Sequence, residues 1–292
     1  MTDTSTRTDV RREVAGYLTG VYGVSIAIAF AMPHGDLAPM LSAFVPVVIL
    51  AGLTPVFGRS IWRGLGLGRS GLRYWPVAIG IPTLAAALCY AVAFGLGAAQ
   101  PLSQVQLGIV GVLINLAVTV VFVLTEEVGW RGFLLPRVQR LTSPRNAAVA
   151  TGFGHALVHL PLVLLTTTYN SAGSRWLVAP LMVVTITAAG ICYAWLRDAS
   201  RSLWPAVIAH STANTLFFLA ASTEIPGSSV QFAYIAGEGG VATASVLTVI
   251  ALTVVWLVRT RVWQPTSTER CSPGTESDGN PPHRADLTAA GR

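Results

Sequence analysis

Two adjacent carboxylates and an arginine, Glu126-Glu127 and Arg131, stand at the end of the apolar run Leu107–Leu124, which reads as membrane-spanning. An ionisable side chain at membrane depth costs several kcal/mol, roughly 3 on insertion scales, and marks a functional site by default. No other Asp or Glu falls inside an apolar run of this chain. On a helix, Glu127 and Arg131 are four residues apart and share a face, so they can form an ion pair. Glu126 then points about 100° away and is left uncommitted, as a general base has to be.

Two more polar pairs repeat that spacing. His155 and His159 lie on one face of an apolar run at Ala147–Leu165. His210 and Asn214 project from one face of another at Leu203–Ala220, where Pro205 suits the first helical turn. Each motif alone has a plain structural reading: carboxylates snorkelling with Arg131, a packed histidine, or a carboxamide and an imidazole bonding across helices. Their depths argue for more. Glu126 lies roughly 12 Å in from the end of a helix running to about Leu135, His210 about 10 Å above Leu203, and His159 roughly 18 Å above Ala147. A carboxylate, imidazoles and a carboxamide at similar depth can bind and deprotonate a water and hold an oxyanion as it forms. That is the inventory for hydrolysing an amide. Other intramembrane hydrolase patterns are missing: no His-Glu-x-x-His helix, no paired intramembrane Asp and no Gly-x-Ser-x-Gly elbow.

The elements that must carry these residues are transmembrane helices. The chain is 52% hydrophobic and only 11% charged over 292 residues, whereas a soluble domain carries about 25% charge. Apolar runs near 20 residues predict an all-α polytopic membrane protein, and their continuity excludes a β-barrel. Spans are expected at about Val14–Met32, Met40–Phe57, Trp75–Ala98, from Leu107, Ala147–Leu165, Trp176–Leu196, Leu203–Ala220 and Val241–Val258, eight in all. Ala29-Phe30-Ala31 resembles a signal-peptidase site, but the first apolar stretch is long for a signal peptide, and it reads as a retained span.

All the positive charge comes from arginine, with a net charge of +6. Arginines fall in the N-terminal segment, in 58–74, in 131–146, in 197–202 and just after the last span, while the alternate loops are nearly free of them. This alternation predicts both termini in the cytoplasm. The arginines do not cluster as a nucleic-acid surface would require, so the expected partners are the lipid bilayer and a peptide or protein substrate. Cys89, Cys192 and Cys271 show no metal or disulfide spacing. The resulting division is a cytoplasmic segment at 1–13, an eight-helix membrane domain at 14–258 with a motif core at about 105–220, and a tail at 259–292. That tail is too polar to fold and is expected to be disordered and cytoplasmic.

Glu-Glu-x-x-x-Arg, then a motif ending in His, then His-x-x-x-Asn, each on its own helix and in this order, resembles the CPBP family. These are intramembrane endopeptidases related to the type II CAAX prenyl protease and to bacteriocin-processing or self-immunity proteins. The resemblance implies that Glu126 activates the attacking water with help from His159. It implies that Glu127 and Arg131 shape the motif helix, and that His210 and Asn214 stabilise the oxyanion. It implies cleavage near the cytoplasmic face of the cell membrane. One position departs from the family pattern: its second motif is Phe-x-x-x-His, and here His155 stands first. Phe153 is two residues early and off that face, so His155 reads as a variant packing residue or as an extra polar group in the site. Glu126, His159 and His210 could hold Zn²⁺ with an open position, and a metal-free mechanism centred on Glu126 fits equally; the residues leave both open. Two other classes compete with the peptidase reading. One is a non-proteolytic immunity or scaffold protein of the same family. The other is a transporter using Glu126 and the histidines as a proton relay, which the uncharged outer helix halves and the absence of an inverted repeat disfavour.

Overall fold

The computed structural model describes residues 6–101, 108–167, 169 and 172–257; the disordered tail expected at 259–292 and the first three residues of the expected motif core lie outside them. The described chain is helical: α1 (Arg7–Ala31), α2 (Leu37–Phe57), α3 (Trp75–Gly95), α4 (Ile109–Glu127), a wide π-helical turn (Val128–Leu134), α5 (Leu135–Gln139), α6 (Pro144–Leu165), α7 (Arg175–Ser200), α8 (Trp204–Ala221), α9 (Ser229–Ala236) and α10 (Val241–Leu257). No strand occurs among the described residues.

Local chemistry explains the starts. Thr6 caps α1 by accepting from the Asp9 backbone N–H at 3.2 Å, while the Asp9 carboxylate accepts from the Thr6 N–H at 3.0 Å, a reciprocal capping box. That cap starts α1 at Arg7, inside the segment expected to precede the first span. Pro76, Pro144 and Pro205 stand in the first turns of α3, α6 and α8, where a missing N–H leaves no bond unmade.

Seven helical stretches among the described residues are long and apolar enough to cross a bilayer. The eighth expected span, α8, forms where it was anticipated but is not among the seven. His210, Ser211, Thr212, Asn214 and Thr215 make it too polar to face lipid, and it packs instead between α3, α4 and α7. The fourth span is longer than expected. It passes Pro136 without a break and runs from Ile109 to Gln139, because Pro136 falls in the first turn of α5, just after the wide turn.

Burial is inverted relative to a soluble protein. Ile109, Val110, Leu113 and Ile114 on α4 are exposed, whereas Glu127 and Arg131 are fully buried. With lipid as the solvent outside, apolar side chains face outward and polar ones face the bundle interior. The tightest crossing joins α6 to α7. A Cβ on Gly190 would lie 2.7 Å from the Gly152 Cα, and one on Gly152 would lie 2.8 Å from the Thr187 carbonyl. Only glycines allow that approach, and it sets α6 against α7 at the level of the polar residues.

The end of the bundle carrying the arginine-rich 58–74 segment is closed. Ile61 and Leu65 from that segment, Leu203, and Trp130, Phe133, Leu134 and Leu135 are all buried there. Arg137 ties this end together, with Nε 2.5 Å from the Glu13 carboxylate and its guanidinium 3.8 Å from the Phe133 ring centroid.

Candidate active site

The site begins where α4 widens. Gly129 has no room for a side chain: a Cβ there would run into the Tyr17 hydroxyl and Pro46. α1 and α2 therefore press directly on the wide turn, and π-helical turns recur at functional sites. Within it, Arg131 Nη1 still reaches Glu127 Oε1 at 2.8 Å, with both side chains fully buried. The same Glu127 oxygen accepts from Nδ1 of His210 at 2.9 Å. Arg131 also packs 5.2 Å from the Tyr193 ring centroid, and the Tyr193 ring stacks on His210 at 5.2 Å.

Glu126 faces elsewhere, as the helical spacing requires. Its Oε2 is 3.2 Å from His155 Nε2 and 4.0 Å from His210 Nε2. His155 is 2% exposed and stacks on Trp130 at 5.0 Å, whereas Phe153 is 47% exposed and points out of the bundle. His155 is therefore a polar member of the site and not a packing residue. His155, His159 and His210 cluster, with ring centroids 5.3 Å apart for the first pair and 5.7 Å for His155 and His210.

The hydrogen-bond partners fix the tautomer of His155. Arg131 Nη1 lies 3.1 Å from its Nδ1, and a guanidinium can only donate. Nδ1 must accept, so the ring proton sits on Nε2 and is donated to Glu126. This bears on a metal. Ligand atoms of Glu126, His155 and His159 lie within 4.8 Å of one another, and His210, whose Nδ1 proton goes to Glu127, keeps a free Nε2 4.0 Å from Glu126. The protonated Nε2 of His155 offers no lone pair to a cation, and its Nδ1 is occupied by Arg131. Three donors remain, Glu126, His159 and the free Nε2 of His210, the number of protein ligands in a catalytic zinc site. Glu126, His159 and His210 are the residues that could hold a zinc ion.

Glu126, His155, His159 and His210 line one cavity of about 430 Å³, together with Asn214, Tyr193, Tyr169 and Glu238. Asn214, one turn beyond His210 on α8, is exposed, and the surface it exposes includes the cavity wall. Glu126 sits near mid-height on its helix, about 26 Å from Ile109 and about 20 Å from Gln139 at 1.5 Å per residue. From there the lining extends to Pro39 and Met40 at the start of α2, to Tyr169 beyond α6, and to Glu238 before α10. By chain direction these lie at the end of the bundle opposite the arginine-rich segments. The buried residues Trp130–Leu135 close the arginine-rich side.

Every expected site residue lines this cavity or bonds directly to one that does. Sequence reasoning missed the stacking rings Trp130 and Tyr193, and it missed Tyr169 and Glu238, which approach from connecting segments and carry no spacing signal.

No curated protein matches the chain. The family model described as type II CAAX prenyl endopeptidase Rce1-like matches residues 108–216, which hold all three polar motifs. The segment that builds the site is therefore similar to the Rce1-like endopeptidases, in agreement with the CPBP resemblance of its motifs.

Proposed function

We propose that this protein is an intramembrane endopeptidase in which Glu126 activates the water. The observation that carries the reading is the division of labour between the two carboxylates. Glu127 is tied to Arg131 and His210, while Glu126 takes a single hydrogen bond from neutral His155 and lines the cavity. Glu126 accepts a proton from water, and the oxygen attacks the peptide carbonyl. The oxyanion forms against the Asn214 carboxamide, one turn beyond His210 on α8, while the His210 proton on Nδ1 goes to Glu127. Collapse breaks the C–N bond, and Glu126 returns the proton to the leaving nitrogen. His159 accepts from the water and orients it. Arg131 and Glu127 act by holding the wide turn and both neighbouring histidines in place, and no metal is required.

With the arginine-rich segments in the cytoplasm of a cell membrane, both termini are cytoplasmic. The scissile bond then lies near mid-bilayer, slightly to the cytoplasmic side, and the substrate segment reaches Glu126 along a cavity that extends to the opposite face. The test uses purified protein in lipid vesicles with a set of single-span substrate peptides. Native protein yields defined cleavage products and Glu126→Gln yields none. Equal cleavage by both would refute the role of Glu126.

A further inference from the structure

Tyr169 follows α6, and Glu238 lies in the turn between α9 and α10; both line the cavity with His159. The Tyr169 hydroxyl is 3.0 Å from Nδ1 of His159 and 3.0 Å from Oε2 of Glu238. The Tyr169 ring also stacks on the imidazole, 5.9 Å between centroids at 26°. Desolvation by the surrounding protein, reinforced by the Glu238 charge, holds the Tyr169 hydroxyl well above the usual tyrosine range, so it keeps its proton. A phenol has one proton to give, and a carboxylate only accepts. The Tyr169 proton therefore goes to Glu238. The phenol oxygen is left as an acceptor, and its partner Nδ1 must carry the histidine proton. Nε2 is then the nitrogen with a bare lone pair.

We infer that Tyr169 and Glu238 are positioning residues that lock His159 in the Nδ1-protonated tautomer, so that Nε2 accepts a hydrogen bond from the attacking water. A ring in the other tautomer would turn an N–H toward that water and oppose its alignment on Glu126. The logic is that of a carboxylate orienting a histidine, with a tyrosine inserted between them. Glu238 lies beyond the segment matched by the family, so this part of the device comes from the C-terminal portion of the chain. It also couples Tyr169 and the 237–240 turn to the centre of the site. The chain of hydrogen bonds stands on its own geometry; only its use in catalysis rests on the peptidase reading.

The test has two readouts. In detergent-solubilised protein labelled with ¹⁵N-histidine, native His159 shows a protonated Nδ1 and a bare Nε2, and Tyr169→Phe, which keeps the ring, shifts the population toward the other tautomer. In the vesicle cleavage assay, Tyr169→Phe and Glu238→Ala each lower kcat about tenfold and leave KM nearly unchanged. The double variant loses no more than either single one, because both break one chain. Glu238→Gln, whose carboxamide oxygen still accepts, recovers most of what Glu238→Ala loses. An unaltered His159 tautomer in Tyr169→Phe, or additive losses in the double variant, would overturn the inference. If native protein cleaves nothing but shows the expected tautomer and its shift, the hydrogen-bond chain stands and the peptidase reading falls. If Glu126→Gln silences cleavage while Tyr169→Phe changes neither tautomer nor rate, the reverse holds.

Discussion

Arg131 Nη1 stands 3.1 Å from Nδ1 of His155, and this contact selects between the two sequence readings of His155, packing residue or extra polar group, by making it a donor to the Glu126 carboxylate. The guanidinium fixes the imidazole proton on Nε2, and Nε2 meets Glu126 at 3.2 Å. Arg131 thus serves both glutamates: Glu127 directly and Glu126 through one histidine.

His155→Phe tests that relay. The phenyl ring keeps the stack on Trp130 and the fold, but Glu126 loses its hydrogen bond. The expected outcome is normal yield with kcat lowered about tenfold. An unchanged kcat would return His155 to a packing role.

Arg131→Ala leaves Glu127 as an uncompensated charge in a site with no exposure. Removing one partner of a buried pair costs about 3–5 kcal/mol, so this variant should show sharply reduced yield and a lower unfolding temperature in detergent. Normal yield would count against the ion pair as the support of the wide turn.

Gly190→Ala places a methyl group 2.7 Å from the Gly152 Cα and 2.8 Å from Arg131 Nη2. Neither the backbone nor the buried guanidinium can yield easily, and a loss of about 1–3 kcal/mol is expected from overpacking. Gly80→Ala on α3 meets nothing within 4 Å and serves as the neutral control. Thermal unfolding of both variants in the same detergent checks the difference.

Chelation separates the two chemistries left open by residue types alone. Protein treated with a chelator should keep its cleavage rate and carry far less than one zinc per chain. A rate that falls on chelation and returns with zinc would instead place the ion on Glu126 with the free Nε2 atoms of His159 and His210.

Much of this site was legible because it is written in helical spacing. Glu127 with Arg131, His155 with His159, and His210 with Asn214 are each four residues apart, and a helix turns such pairs to one face whatever surrounds them. Spacing gives no neighbour, however. His155 shares its face with His159 in the sequence, yet only the α6–α7 crossing at Gly152 and Gly190 brings Arg131 against it. Tyr169 and Glu238 come from connecting segments, whose path no periodicity constrains. The seven apolar spans were legible for the same reason as the pairs. α8 was taken for one more of them, although its polar residues are the mark of a helix that other helices enclose. The continuation of α4 through Pro136 depends on the wide turn, which relies on Gly129 finding Tyr17 and Pro46 beside it.

The most direct measurement compares the termini of membrane proteins in cells carrying native protein or Glu126→Gln, with insertion and folding of the variant verified. The account predicts new peptide ends that vanish in the variant and that map to transmembrane segments near mid-bilayer. Identical termini in the two strains would contradict it and would leave a non-proteolytic immunity or scaffold role as the reading of the same site.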